Sequence, residues 1–252
     1  MYPAFLHFSH SPSRLFRLTA MHLHDRFAEF LSASEIIEAT PALLNDQRRR
    51  FVSSPDIVLR PNSVESVQKI MRFCFENRIR VTPQGGNTGL CGATVTTEGV
   101  LLNLSKLNRI RDINLADNSM TVEAGVILQN AQKAATEAGR LFPLSLASEG
   151  SCQIGGNIAC NAGGLNVLRY GSMRDLVLGL EVVLPNGKLV SHLQPLHKNT
   201  TGYDLRHLFI GSEGTLGIIT AATLKLFAQP KTKATAWVGL DDIESAVSLL
   251  TA

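Results

Sequence analysis

The sequence predicts an α+β protein of two α/β subdomains with a ligand cleft between them, and three observations carry that expectation. Strand-like and helix-like stretches alternate in quick succession from residue 56 to 139, as in a small layered subdomain. From 140 to 230 the pattern becomes β-rich, with strand pairs that read as antiparallel. Three clusters of glycine mixed with Asn, Ser and Thr interrupt these runs, which is more than ordinary turns explain.

Size and composition bound the reading. The chain has 252 residues, 44% of them hydrophobic, enough for one large core or two modest ones. Its formal charge of +3 comes from 24 Lys and Arg against 21 Asp and Glu scattered along the chain. That balance gives no footprint for nucleic acid, and the 6% aromatic content offers no stacking platform. Cys74, Cys91, Cys152 and Cys160 form no CxxC pair and have no histidine beside them, so they read as reduced structural thiols rather than zinc ligands. No run approaches the ~20 apolar residues of a membrane span; peripheral membrane contact stays open.

Residues 1–24 contain Arg14, Arg17 and no acid ahead of His24, and read either as a leader or as an over-extended start before Met21. Residues 25–55 form an N-terminal helical segment, with Ser34 as a cap and Pro41 as a break; the run Gln47-Arg48-Arg49-Arg50 reads as solvated surface. DIVLRP (56–61) is a strand. Ser63 then caps a helix whose Val64, Val67, Ile70, Met71 and Cys74 fall on one face. IRVTPQ is the next strand, GVLLNL another and SMTVEAGV a fourth, before an amphipathic helix, ILQNAQKAATEAG, that ends at Gly139. A second subdomain begins near residue 140 and contains a hairpin turned at Asn186-Gly187. Residues 231–252 read as a strand plus the first turns of a helix, the start of a truncated substrate or cap domain.

The loop VTPQGGNTGLCG (81–92) fails both common phosphate tests. It lacks the lysine of a P-loop, and GGNTG followed by a strand is not the GxGxxG of a dinucleotide fold. Consecutive small residues still turn several backbone amides toward one anion. The second cluster spaces Gly150, Ser151, Gly155, Gly156, Asn157, Asn161, Gly163 and Gly164 so that backbone can approach a flat ligand while hydroxyl and amide groups bond its polar edge. The third, GSEGTLGIIT (211–220), ends in a β-branched apolar run suited to packing beside a ring. Together they point to one long, polar and aromatic ligand spanning the two subdomains.

The blocks PQGGNTGLCG, GSCQIGGNIACNAGGLNVLRYGS, LGLEVVLPNG and NTTGYDLRHLFIGSEGTLGIIT resemble the PCMH-type FAD-binding domain of the vanillyl-alcohol oxidase and p-cresol methylhydroxylase superfamily, in its D-2-hydroxyacid dehydrogenase branch. The resemblance covers roughly residues 56 to 230 and implies subdomains of about 56–139 and 140–230 with FAD between them. It implies that Pro83, Gln84, Gly85, Gly86, Asn87, Thr88, Gly89 and Gly92 surround the pyrophosphate. A second stretch of cofactor contacts would comprise Pro143, Leu144, Ser148, Gly150, Ser151, Ile154, Gly155, Asn157, Asn161, Gly164, Tyr170 and Gly171. Glu213, Gly214, Gly217, Ile218 and Ile219 would follow the adenosine half.

By the same resemblance, a D-2-hydroxyacid of the D-2-hydroxyglutarate kind is oxidised to the 2-oxoacid, with D-lactate, glycolate or a non-catalytic FAD-binding fragment as alternatives. Electrons would pass to an acceptor protein or a quinone. The first loop has no histidine, so FAD is expected to be non-covalent. Catalytic groups and any divalent metal would lie beyond residue 252. His192 and His197 read as solvated, His207 as locally hydrogen-bonded, and Arg169 and Arg174 as either structural or near the ligand. A homodimer is compatible with the resemblance, as is a location in the cytoplasm, at the inner face of a membrane, or in mitochondria of a eukaryote.

Overall fold

The computed structural model describes residues 20–251. The leader or over-extended start therefore lies outside the described residues as far as residue 19. Helix α1 (Ala20–Ala28) places Leu23 and Phe27 in a buried cluster, so the packed unit begins before Asp25. Phe27 meets Phe73 edge-on with ring centroids 5.0 Å apart. A short 3-10 turn over Ala33–Glu35 follows, then strand β1 (Ile36–Ile37) and helix α2 (Pro41–Leu44). The expected cap at Ser34 is displaced by two residues: the Ser32 amide and hydroxyl donate to Glu35 Oε2 at 3.0 and 2.8 Å. Pro41 opens α2 instead of breaking a helix, at a first-turn position where its missing N–H is not needed.

Strand β2 (Ile57–Leu59), helix α3 (Val64–Glu76), strand β3 (Val81–Gln84) and strand β4 (Val100–Asn103) complete the first unit. Its sheet runs β1-β2-β4-β3, with β1 antiparallel and the other three strands parallel. Ser63 caps α3 by accepting from Ser66 N at 3.1 Å, and Val67, Ile70, Met71 and Cys74 are buried as their spacing predicts. The segment 25–55 is thus not a separate helical piece. It supplies an edge strand and part of the core to this unit.

The second unit begins with β5 (Ile110–Asn114), β6 (Ser119–Glu123), helix α4 (Leu128–Glu137) and strand β7 (Arg140–Leu141). Short helices α5 (Ile154–Ala159), α6 (Val167–Tyr170) and α7 (Met173–Leu176) lead into β8 (Val177–Val183) and β9 (Leu189–His192). Helix α8 (Arg206–Phe209), β10 (Ile218–Lys225) and β11 (Phe227–Ala228) finish it. Five strands form an antiparallel sheet in the order β5-β6-β10-β8-β9, and β11 pairs with β7.

This pairing moves the subdomain change from residue 139/140 to the connection between β4 and β5. The sequence runs β4, β5 and β6 together as one alternation, but β6 hydrogen-bonds to β10, about a hundred residues later, and Met120, Val122, Leu128 and Ala131 lie in the second core. Val183 and Ile218 sit in the first unit's core although their strands belong to the second sheet. The β8–β9 turn, with Gly187 at φ +79°, lies against α3, where Gln68 Nε2 donates to Gly187 O at 3.1 Å.

One face of the second sheet carries an ionic ladder. Arg109 and Arg111 reach Glu123 Oε1 at 2.9 and 3.3 Å, Arg111 reaches Glu181 Oε1 at 3.1 Å, and Thr220 Oγ1 donates to the same oxygen at 2.9 Å.

The strand expected in 231–252 does not form. Residues 232–240 have no regular structure, Trp237 is fully exposed, and only helix α9 (Ile243–Thr251) is regular. A strand needs a neighbour for its backbone groups, and none of the described strands pairs with this segment. No helix among the described residues is long and apolar enough to cross a membrane.

Candidate functional site

The first glycine loop leaves β3 at Gln84, a residue 1% exposed. Its Nε2 donates to Leu43 O at 2.9 Å and its Oε1 accepts from Asn103 Nδ2 at 3.2 Å. Asn87 adopts φ +53°, a left-handed conformation that Asn tolerates better than most residues. Its Nδ2 donates to Ala42 O and Asn45 O at 3.2 and 2.7 Å, and its Oδ1 accepts from Thr94 Oγ1 at 2.8 Å. The segment around α2 therefore holds this loop from behind. The backbone amides of Gly86, Asn87, Thr88 and Gly89 donate to no acceptor among the described residues, which leaves them free for an anion.

The second cluster wraps around α5. Ile154 and Ile158 point into the core, while the Gly155 amide donates to Ala124 O at 2.7 Å and ties the helix to the end of β6. Gln153 and Asn157, four residues apart and so on one face, are only 7% and 5% exposed. Gln153 Oε1 and Asn157 Nδ2 are buried without a hydrogen-bond partner. Gln153 Oε1 stands 3.4 Å from where a Cβ on Gly85 would be, which aims it at the first loop. Buried polar atoms are normally satisfied, so this acceptor and this donor mark a place prepared for a polar ligand.

The third cluster closes on the same helix. The Gly211 amide donates to Ile158 O at 3.1 Å and the Glu213 amide to Ala159 O at 2.9 Å. Glu213 and Gly214 both have positive φ, and the turn they make brings Gly214 against the Pro83 ring, where a Cβ would collide.

One cleft between the two units collects all three. Of the residues expected from sequence, Pro83, Gln84, Gly85, Gly155, Glu213, Gly214, Gly217, Ile218 and Ile219 line it. Gly156, a member of the second glycine cluster, lines it as well, as do Ala93, Thr94, Leu104, Ala124, Ala159 and Cys160, which the sequence does not single out. Gln153 was also missed; its position one turn before Asn157 was the available signal.

The remaining expected residues are not on the cleft wall, and most have evident structural partners. Gly86 backs onto the Ser151 carbonyl, Gly164 onto that of Ser145, and Gly92 at φ +75° faces Phe51. Leu144 and Ile154 are core, and Ser148 and Ser151 close a turn through Ser151 N to Ser148 O at 2.9 Å, with Gly150 inside it. Pro143 O accepts from Asn166 Nδ2 at 2.8 Å. Asn161 Oδ1 accepts from Arg174 N at 2.9 Å, Tyr170 stacks edge-on with Phe227 at 4.8 Å, and Gly171 at φ +81° faces Asp175. Thr88 and Gly89 continue the loop with its free amides.

Arg174 is structural. It donates to His207 O at 3.1 Å and Ile210 O at 2.6 Å, and its Nη1 lies 3.0 Å from His207 Nδ1. His207 thus has the local partner expected of it, while His197 Nε2 lies 2.7 Å from Asp117 O. Among the described residues no histidine lines the cleft.

A group that fits must be anionic where the free amides meet it, must offer a donor to Gln153 and an acceptor to Asn157, and must be flat and apolar along Ile218 and Ile219. FAD, with a pyrophosphate between two ring systems, meets these demands.

Comparison with known proteins agrees. The profile of a family described as FAD binding domain matches residues 55–192. The chain is 39% identical over 229 residues to a D-2-hydroxyglutarate–pyruvate transhydrogenase of Saccharomyces cerevisiae, covering 88% of this chain and 46% of that protein. It is 45% identical over 200 residues to a mitochondrial D-2-hydroxyglutarate dehydrogenase of Danio rerio, covering 79% and 38%. A solved structure of alkyldihydroxyacetonephosphate synthase superposes with a TM-score of 0.72 at 20% identity, covering 83% of this chain and 39% of that one, and so shares the fold. The chain spans less than half the length of these relatives.

Proposed function

This chain belongs to the family of FAD-binding domains, and from that premise we propose that it is the cofactor-binding portion of an oxidoreductase that oxidises a D-2-hydroxyacid, of the D-2-hydroxyglutarate kind, to its 2-oxoacid. The observation that carries this is the meeting of three glycine-rich segments from both units in one cleft, with Gln153 Oε1 and Asn157 Nδ2 buried and unpartnered at the start of and within α5, whose Gly155, Gly156 and Ala159 line that cleft. The names of two relatives that share 39% and 45% identity favour D-2-hydroxyglutarate over lactate or glycolate.

FAD, when bound, supplies a two-electron acceptor. The chain's own residues do the holding. Amides of Gly86 to Gly89 would take the pyrophosphate, Gln153 and Asn157 would bond polar edges of the ligand, and Ile218 and Ile219 would pack along a ring and exclude water from it. Gly156, with open space where its side chain would be, leaves room for close approach. The substrate's carboxylate and hydroxyl need a cation and a base; the cleft wall carries no lysine, arginine or histidine, and Glu213 is its one acidic side chain. We assign those roles, and any divalent metal, to parts of the whole protein outside this chain. The electron acceptor is a protein or a quinone, and the compartment is mitochondrial in a eukaryote, as the name of the Danio rerio relative suggests.

The cofactor is proposed to be non-covalent, since no described histidine lines the cleft. Purified protein should show flavin absorbance that moves wholly to the supernatant on acid precipitation. A colourless protein that also fails to take up added FAD would sink the assignment. In the full-length protein, bleaching by D-2-hydroxyglutarate in preference to D-lactate and glycolate tests the substrate.

A further inference from the structure

The four cysteines divide into two kinds. Cys74 and Cys152 are buried in the two cores, whereas Cys91 and Cys160 are free and exposed. The exposed pair comes from opposite units. Cys160 follows the last residue of α5 and lines the cleft, which Ala93 and Thr94 of the β3–β4 loop, the loop that also carries Cys91, line as well. Cys91 is two residues from Ala93, so its α-carbon lies within about 7.6 Å of that of a residue on the cleft wall. Cys91 itself is exposed, two residues after Gly89, where a side chain would meet open space. No step assigned to the cleft uses either sulfur.

We propose that Cys91 and Cys160 are a reversible redox pair whose disulfide clamps the β3–β4 loop to α5 across the mouth of the cleft and shuts out the cofactor, a small-molecule disulfide such as oxidised glutathione being the oxidant. The Cys91 thiolate attacks one sulfur of that disulfide, forming a mixed disulfide and expelling one thiol. Cys160 then attacks the Cys91 sulfur, a bond forms between the two protein sulfurs, and the second small thiol leaves. Two protein thiols are oxidised, one external disulfide is reduced, and the two protons end on the released thiols. A disulfide brings two Cα atoms to within about 7 Å, so its formation fixes the loop against the helix end.

The closing effect rests on the FAD reading of the cleft, whereas the bond itself does not. Cofactor-free protein treated with oxidised glutathione should lose two of its four titratable thiols and give, after non-reducing digestion, a linked pair of peptides holding Cys91 and Cys160. Dithiothreitol should reverse both changes. FAD affinity should fall by at least ~10-fold on oxidation and recover on reduction, and C91S should bind FAD normally and ignore the oxidant. Stable glutathione adducts without the linked pair, or linkage that leaves FAD affinity unchanged, would overturn the proposal. If reduced wild-type protein took up no FAD, the FAD reading would fail, and the linked peptides would still decide the disulfide.

Discussion

Gly86 stands with its α-carbon against the backbone carbonyl of Ser151, so the first glycine loop and the second touch through main chain alone. The contact needs no positive φ; it needs the absence of a side chain. A Cβ there would drive apart the two segments that shape one end of the cleft.

Gly86→Ala is therefore expected to destabilise the protein by about 1–3 kcal/mol through overpacking and to weaken FAD binding in the same variant. Thermal melts with and without FAD measure both. A wild-type melting curve would mean that the loops can separate freely.

Gln153→Met should do the opposite to stability. An unsatisfied buried polar atom costs about 1–3 kcal/mol, so an apolar side chain of similar shape should leave the cofactor-free protein as stable as before or more so. FAD affinity should fall by roughly 10-fold, the equivalent of one lost hydrogen bond of ~1.4 kcal/mol. Isothermal titration beside a melting curve reads the two effects, and loss of stability with unchanged affinity would refute the assignment of Gln153 to the ligand.

Bound FAD touching both units should stabilise the fold by mass action, by ~2.7 kcal/mol at a hundredfold excess over its dissociation constant. Denaturant titration at graded FAD concentrations tests this. A midpoint independent of FAD would mean that the folded chain does not bind it.

Acid should weaken the second sheet. Burial opposes ionisation of Glu123, but hydrogen bonds from Arg109 and Arg111 outweigh it and hold the carboxyl below its ordinary value of 4.5. A depressed folded value means that the ionised group's stabilisation is present above the unfolded value and is lost as pH falls through the folded one. Glu35 is lowered likewise, against the effect of its burial, by bonds from Ser66, Asn62 and Ser32. Stability measured from pH 6 downward should drop below about pH 4.5, and Glu123→Gln should flatten that drop. An unchanged acid limb in the variant would remove Glu123 as its source.

What could be read in the sequence was what is local. The α3 helix announced its cap at Ser63 and its buried stripe, and the three glycine clusters pointed to a single cleft before any strand order was known. Pairings between distant segments could not be read. Nothing near residues 119–123 says that their partner is 221–225, so the sequence pattern puts the subdomain change after α4, whereas the strand pairing puts it before β5. The second role of Asn87, its side-chain bonds to Ala42 and Asn45, spans more than forty residues and leaves no local trace. Gln153 is an ordinary glutamine in a polar loop by sequence, and only its buried, unpartnered oxygen sets it apart.

Strand β10 lies between β6 and β8, although it is made after both. During synthesis the β5–β6 and β8–β9 hairpins thus emerge with an open edge each and wait for a strand that comes about a hundred residues after the first of them. Such long-range closure is slow and leaves edges that other chains can pair with. The same strand begins with Ile218, which enters the first unit's core, so its arrival completes both halves at once. A ribosome paused near residue 210 would hold neither half finished, and this nascent chain would be a natural client for chaperones.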